Sequence, residues 1–484
     1  MHFNVLRSLG LLVSLASTVV TAPACAGAQA DRAVAAVRQL IESGVVPAGT
    51  TLRLGFKQGN IDAFLGRDLA LQKEWESRTG IVLDAHIVPQ QATRKTLKSW
   101  ERVDLTVARN HEYPDLFGEG LINDLTPLYA KFGFQLDGES ADGFIRPDIQ
   151  SWLGNRIVAV PADGDVAVLY LRRDLLDDPH EQEAFRKTYG RALEAPRTWR
   201  EYEALQEFFH RPAQGLYGSA EERDEEGAWM YWSLRFLSAT QGAPKLFDRG
   251  MRPQLESAAA IAATESYVAA VRYSPPGITD PGKGYNFVLP LFAQGKAFAN
   301  LSTIAAARLF NDERSAVRGR FVAVPVPGDL HNGKLVRRNT IIYGNNLVIP
   351  ASAPHPALAF LYAMWLTDPD VSLRSVGLSS GFADPYRWSH LHDPRVRDAY
   401  TPEALAVFAD AWSAVCPPGT GLRGDSEYLA ALDRHLTSAA RGEIGAAEAM
   451  KRTTSDWNAI TQRLGRATQA RDRRALRASA GGGR

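Results

Sequence analysis

With 484 residues, 45% of them hydrophobic and 23% charged, the chain has the balance of a globular protein and enough length for two or three domains of ~150 residues. A formal net charge of +1 excludes the broad basic field of a general nucleic-acid binder. Ten Trp, fifteen Tyr and twenty Phe supply aromatics for a binding surface as well as a core.

The first 30 residues read as an export signal. Arg7 is the early charge, residues 9–20 form an apolar run shorter than the ~20 residues of a membrane span, and Ala28-Gln29-Ala30 fits the A-x-A cleavage rule, which makes Asp31 the expected first mature residue. Cuts after Ala24 or Ala26 are alternatives. Cys25 raises a lipid anchor, but Ala22-Pro23-Ala24 before it makes a poor lipobox. A cut after Ala30 leaves one cysteine, Cys416, so the mature fold is expected to rest on its core and not on a disulfide.

Residues 31–46 have the pattern of a short amphipathic helix. Alternation predicts strands over 51–56, 81–88 and 104–108, with helical spacing over 61–79 and 92–99 between them. Strands alternating with helices predict an α/β sheet with ligands at strand C-terminal ends. Residues 155–176 (NRIVAVPADGDVAVLYLRRDLL) read as a strand over 157–160, a polar turn carrying Asp163, Gly164 and Asp165, and a second strand over 166–171. Such a break is a candidate crossing between two lobes. Thr198 with Glu201 three residues on forms a capping box, and an aromatic-rich helix follows over 224–240. Residues 296–301, 321–326 and 340–349 read as strands, the last interrupted by Tyr343, Asn345 and Asn346. Helical patterns then run over 355–366, 368–377, 402–412, 427–441 and 446–464. Residues 466–484, with six Arg and one Asp, read as a disordered basic tail.

Four stretches carry a family resemblance: 104–125 (DLTVARNHEYPDLFGEGLINDL), 155–176 with its LYLRRDL run, 292–297 (FAQGKA), and 344–369 followed by 381–394. Their order and spacing resemble the extracellular solute-binding proteins of family 1, the sugar-type receptors of ABC importers, across roughly residues 51–464. Leu171-Arg172 departs from the family's Tyr-Asn pair. The resemblance implies a two-lobe, type II-like periplasmic binding fold with discontinuous lobes joined by hinge crossings. On that reading lobe 1 spans 31–163 and 345–388, and lobe 2 spans 164–344 and 389–465. It also implies a monomeric, cofactor-free, non-enzymatic periplasmic protein that carries a small carbohydrate or polyol to a membrane permease.

A sugar offers an apolar ring face and a rim of hydroxyls, which aromatic rings and carboxylate, amide or guanidinium groups can meet. The residues expected at such a site are Gln58 after the first strand, Arg109, Asn110 and His111 after the third, and Asp163 and Asp165 in the broken strand. Trp229 and Trp232 share a helix face, Tyr285 opens a helix, Tyr343, Asn345 and Asn346 interrupt the second crossing, and Arg387 matches the family's R-x-S turn. Each has a bland alternative in turn solvation or core packing. Three rival readings are weaker. Residues 377–381 match G-x-S-x-G but follow a helix and not a strand. Asp163 and Asp165 sit side by side where glycosidase acids come from different strands. His390, His392 and Asp393 could ligate a metal, but the R-x-S turn already accounts for their position.

Overall fold

The computed structural model describes residues 28–57, 59–88, 93–99, 103–225, 227–242, 244–378 and 383–481. Gln58, the serine region of the G-x-S-x-G match and the leading 27 residues lie outside the described residues.

Two four-stranded sheets organise the chain. The first is fed by helix α1 (Ala28–Glu42) and strands β1 (Thr51–Lys57), β2 (Val82–Val88) and β3 (Leu105–Arg109). β1 lies between β2 and β3, parallel to both. The short helix α2 (Tyr113–Gly118) follows β3 after a single 3-10 turn. The second sheet holds β4 (Ala167–Arg172), β5 (Tyr217–Ser219), β6 (Ala297–Thr303) and β7 (Phe321–Val324), in the order β5-β6-β4-β7. β4 is antiparallel to both of its neighbours, whereas β5 and β6 run parallel. The chain then returns to the first sheet as β8 (Asn345–Val348), which pairs antiparallel with β3 and sets Asn345 opposite Arg109.

Helices cover both sheets. Helix α1 packs Ala33, Val34, Val37 and Leu40 into the first core, beside the Pro356–Leu366 helix, whose Tyr362 and Trp365 meet Trp75 at 5.0 and 5.3 Å. Helices α3 (Ala228–Ser238), Ala258–Ala269, α4 (Asp425–Ala440) and α5 (Ala446–Arg463) form the second core, with Phe247, Tyr428 and Trp457 in mutual contact. The Thr198 capping box forms: the Glu201 amide donates to Thr198 Oγ1 at 3.1 Å, and the Thr198 amide donates to Glu201 at 3.1 Å.

Two sequence expectations are corrected. The basic segment after Gly465 is a helix, α6 (Arg466–Gly481), and it is anchored: Arg466 donates to the Met251 carbonyl at 2.5 Å and Gln469 to the Arg423 carbonyl at 2.7 Å. Its arginines find backbone carbonyls of the second lobe's loops, partners that composition alone does not reveal. The strand expected over 157–160 shortens to a two-residue hairpin arm, Arg156–Ile157, because Val160 leaves to bridge Leu347 of β8.

Three segments run between the sheets. Val160 pairs with Leu347 and Val166 with Ile341, so 160–166 and 341–347 lie antiparallel side by side. The third, around Asp384 to Arg387, packs against them. A Cβ on Gly164 would overlap the Pro385 carbonyl oxygen, so this approach requires glycine.

Candidate functional site

The C-terminal ends of β1 and β3 and the start of β8 bring Lys57, Arg109 and Asn345 together, where ligands sit in open α/β sheets. The Lys57 ammonium, buried, donates to Asn345 Oδ1 at 3.0 Å. Burial, then the neighbouring Arg109, pushes the Lys57 amine down to about 7, against the pull of Glu112 and Asp163. Glu112 accepts the Arg109 amide at 2.7 Å.

Arg109 lies over the Tyr343 ring, 4.8 Å from its centroid. Tyr343 holds φ +69° and is followed by Gly344 at +50°, a left-handed pair that turns the crossing and aims the phenol at the second sheet. There its hydroxyl donates to Glu222 Oε2 at 2.5 Å, and the Tyr231 hydroxyl reaches the same oxygen at 3.5 Å. Glu222 follows β5. Burial, then Asp224, pushes its carboxyl up to about 8. Tyr285 meets Tyr343 edge to face at 5.7 Å. Below them His111 meets Trp229 at 5.2 Å, and the Trp229 amide donates to Asp433 at 2.6 Å. Burial holds His111 neutral, lowering it to about 4, and raises Asp433 well above the usual carboxylate range.

Asp163, Asp165 and Asp384 form a second buried group, with ligating oxygens within 4.8 Å of one another. Asp163 accepts the Asn345 amide through one oxygen and the Asp384 amide through the other, both at 3.0 Å. It therefore ties all three crossing segments together. Burial and Asp384 raise it to about 7, and burial with Asp384 and Asp163 holds Asp165 well above the usual carboxylate range. Arg308, 3.5 Å from Asp384, and the Tyr400 hydroxyl at 2.5 Å supply counter-charge and a donor. The three carboxylates have the donor chemistry for a cation, yet Asp163 spends both oxygens on backbone amides and Arg308 sits within the group. The geometry is that of a knot at the crossings.

Of the residues singled out from sequence, Arg109, His111, Trp229, Tyr285, Tyr343 and Asn345 converge between the sheets, with Asp165 beside them. Others are placed elsewhere. Trp232 is buried against Phe236 at 4.7 Å, with its indole N–H on Thr264 at 2.9 Å, because α3 turns that residue into the second core. Asn110 and Asn346 bond each other at 3.2 Å, and their remaining amide atoms reach Ile149, Gln150 and Ala162 of the backbone. They stitch loops together. Arg387 is 3% exposed, lies over Phe144 and donates to the carbonyls of Thr367 and Asp142 and to Gln29, so its guanidinium is spent inside the first core region. It borders a separate cavity of about 430 Å³ between α1 and residues 133–144. His390 is buried on Ser372 at 2.8 Å, and Asp393 caps the following helix, so no metal cluster forms there among the described residues. Sequence reasoning missed Lys57, Glu112, Glu222 and Asp433. For Lys57 and Glu222 the available signal was a charge at, or just past, the C-terminal end of a strand.

Solved structures share the architecture over most of the chain. The maltose-bound MalE3 of T. maritima superposes with a TM-score of 0.68 at 18% identity, covering 84% of this chain and 99% of that one. A solute-binding protein of Agrobacterium radiobacter K84 in complex with ribitol gives 0.67 at 19%, covering 84% and 98%. One of Agrobacterium vitis S4 with bound D-mannitol gives 0.68 at 17%, covering 86% and 99%. At these identities the likeness establishes the two-lobe periplasmic binding fold. No curated protein matches the sequence. The model of the bacterial extracellular solute-binding proteins matches residues 71–372, more than half of the chain, and the chain belongs to that family.

Proposed function

We propose that this protein is the exported solute-binding component of an ABC importer, that it holds a small carbohydrate or polyol between its two sheets, and that it hands the ligand chemically unchanged to a membrane permease. The observation that carries the reading is the convergence of Tyr343, Arg109 and Glu222 across the crossing, with Trp229, His111 and Tyr285 around them. Aromatic faces for a ring and fixed donors and acceptors for hydroxyls are what such ligands need. Structural relatives were solved with maltose, ribitol, mannitol and tagatose, which supports the ligand class. Lobe 1 takes residues 31–163 and 345–388, lobe 2 takes 164–344 and 389–465, and the crossings act as the hinge. The protein works as a monomer in the periplasm.

The test is a thermal-shift panel of sugars, polyols and non-sugar solutes, with the ligand recovered afterwards. A cognate sugar or polyol at about 100 times its dissociation constant adds ~2.7 kcal/mol of stability and is recovered intact. Turnover of the sugar, or a response confined to non-sugar solutes, overturns the reading.

A further inference from the structure

Export raises the question of where the mature chain starts, and the structure bears on it. Helix α1 (Ala28–Glu42) includes the three residues that a cut after Ala30 would remove. Those residues are built into the fold. The Gln29 side chain donates to the Met364 carbonyl at 2.6 Å and accepts from Arg387 Nη2 at 3.1 Å. Met364 is wholly buried and Arg387 nearly so. The Ala30 amide donates to Asp368 Oδ2 at 3.0 Å, and Ala30 itself is 3% exposed. Asp368 in turn accepts the amides of Asp370 and Val371 and starts the next helix.

Removing Ala28 to Ala30 would strip a buried guanidinium N–H and a buried carbonyl of their side-chain partner. It would also place the new ammonium of Asp31 at the positive end of the α1 dipole. We infer that the mature protein retains Gln29 and Ala30, so that signal cleavage falls no later than Ala28. The residues from Ala22 to Ala30 offer A-x-A patterns ending at Ala24, Ala26 and Ala28 as well as at Ala30, so earlier cuts satisfy the same rule. The inference rests on the reading of the leading residues as an export signal.

The experiment expresses the full chain in a Gram-negative host and determines the N-terminal peptide of the periplasmic protein by mass spectrometry. A start at Cys25, Gly27 or Gln29 is expected. A start at Asp31 overturns the inference while leaving export intact, and a chain retained from Met1 fails the export reading and the inference with it. A second arm compares purified chains beginning at Gly27 and at Asp31. The shorter chain is expected to melt ~2–4 °C lower or to fail to fold, and Gln29→Ala in the longer chain to lose part of that difference. Equal melting temperatures across the three chains overturn the inference.

Discussion

The Tyr343 hydroxyl donates to Glu222 Oε2 at 2.5 Å, joining a residue of the crossing to a loop of the second sheet while the same ring lies under Arg109 of the first. One phenol thus touches both halves of the candidate cleft. Tyr343→Phe keeps the ring and removes the bond. Leaving a buried carboxyl oxygen without its donor costs ~1.5 kcal/mol, so ligand affinity is expected to fall about tenfold by calorimetry. Glu222→Leu should cost a similar amount, and the double variant little more than either single one, because both remove the same bond. Unchanged affinity in both single variants would remove Tyr343 and Glu222 from the site.

Glu222 also gives a pH signature. Its carboxyl moves from 4.5 to about 8 in the fold, chiefly through burial. The folded state binds the proton more tightly than the unfolded state. The associated stability is complete below about pH 4.5 and is lost as pH rises toward about 8. Urea midpoints of the native protein and Glu222→Gln, taken every half unit across that window, should show the native protein's relative stability declining with rising pH. A gap that stays constant would mean that Glu222 is not a proton-binding group of the folded state.

Trp229 and Trp232 separate binding from packing. Trp232→Ala opens a cavity beside Phe236 and is expected to cost ~3–5 kcal/mol of stability by urea unfolding. Trp232→Phe retains most of that packing and should leave affinity unchanged. Trp229→Phe keeps bulk against His111 but changes the indole surface at the cleft, and should weaken ligand binding several-fold with a smaller effect on stability. Equal loss of affinity from both Phe variants would contradict the division.

Gly164→Ala tests the crossing itself. The added methyl overlaps the Pro385 carbonyl oxygen, and backbone cannot swing away as a side chain can. A loss of at least ~2 kcal/mol, or failure to accumulate as folded protein, is expected. Gly445→Ala, where a Cβ meets nothing within 4 Å, should stay within ~0.5 kcal/mol.

Local signals in the sequence were read well where they are local in the structure. The alternation over β1 and β2, the Thr198–Glu201 cap and the break at Asp163–Asp165 are all present, whereas the second break is confined to Tyr343–Gly344, because Asn345 and Asn346 pair with Arg109 and Ala108 as part of β8. What sequence could not supply was which way a polar side chain faces once segments far apart meet. Asp163 serves amides of residues 345 and 384, Asn346 serves residues 110, 150 and 162, and Arg387 reaches back to Gln29. Glu222 lay in a charged run, EERDEEG, that looks like a solvated loop until β5 carries it under Tyr343. Trp229 and Trp232 share one helix face by spacing, yet one borders the first sheet's loop and the other faces the second core.

Helices α1 and α6 are fastened to different halves of the molecule, the first beside Trp75 and Trp365, the second on the Met251 and Arg423 carbonyls. A donor fluorophore on the exposed side of α1 and an acceptor on α6 would each ride on a different half. Their transfer efficiency would follow the angle between the two sheets, so the protein's own end helices offer attachment points for an optical gauge of solute capture that leaves the cleft untouched.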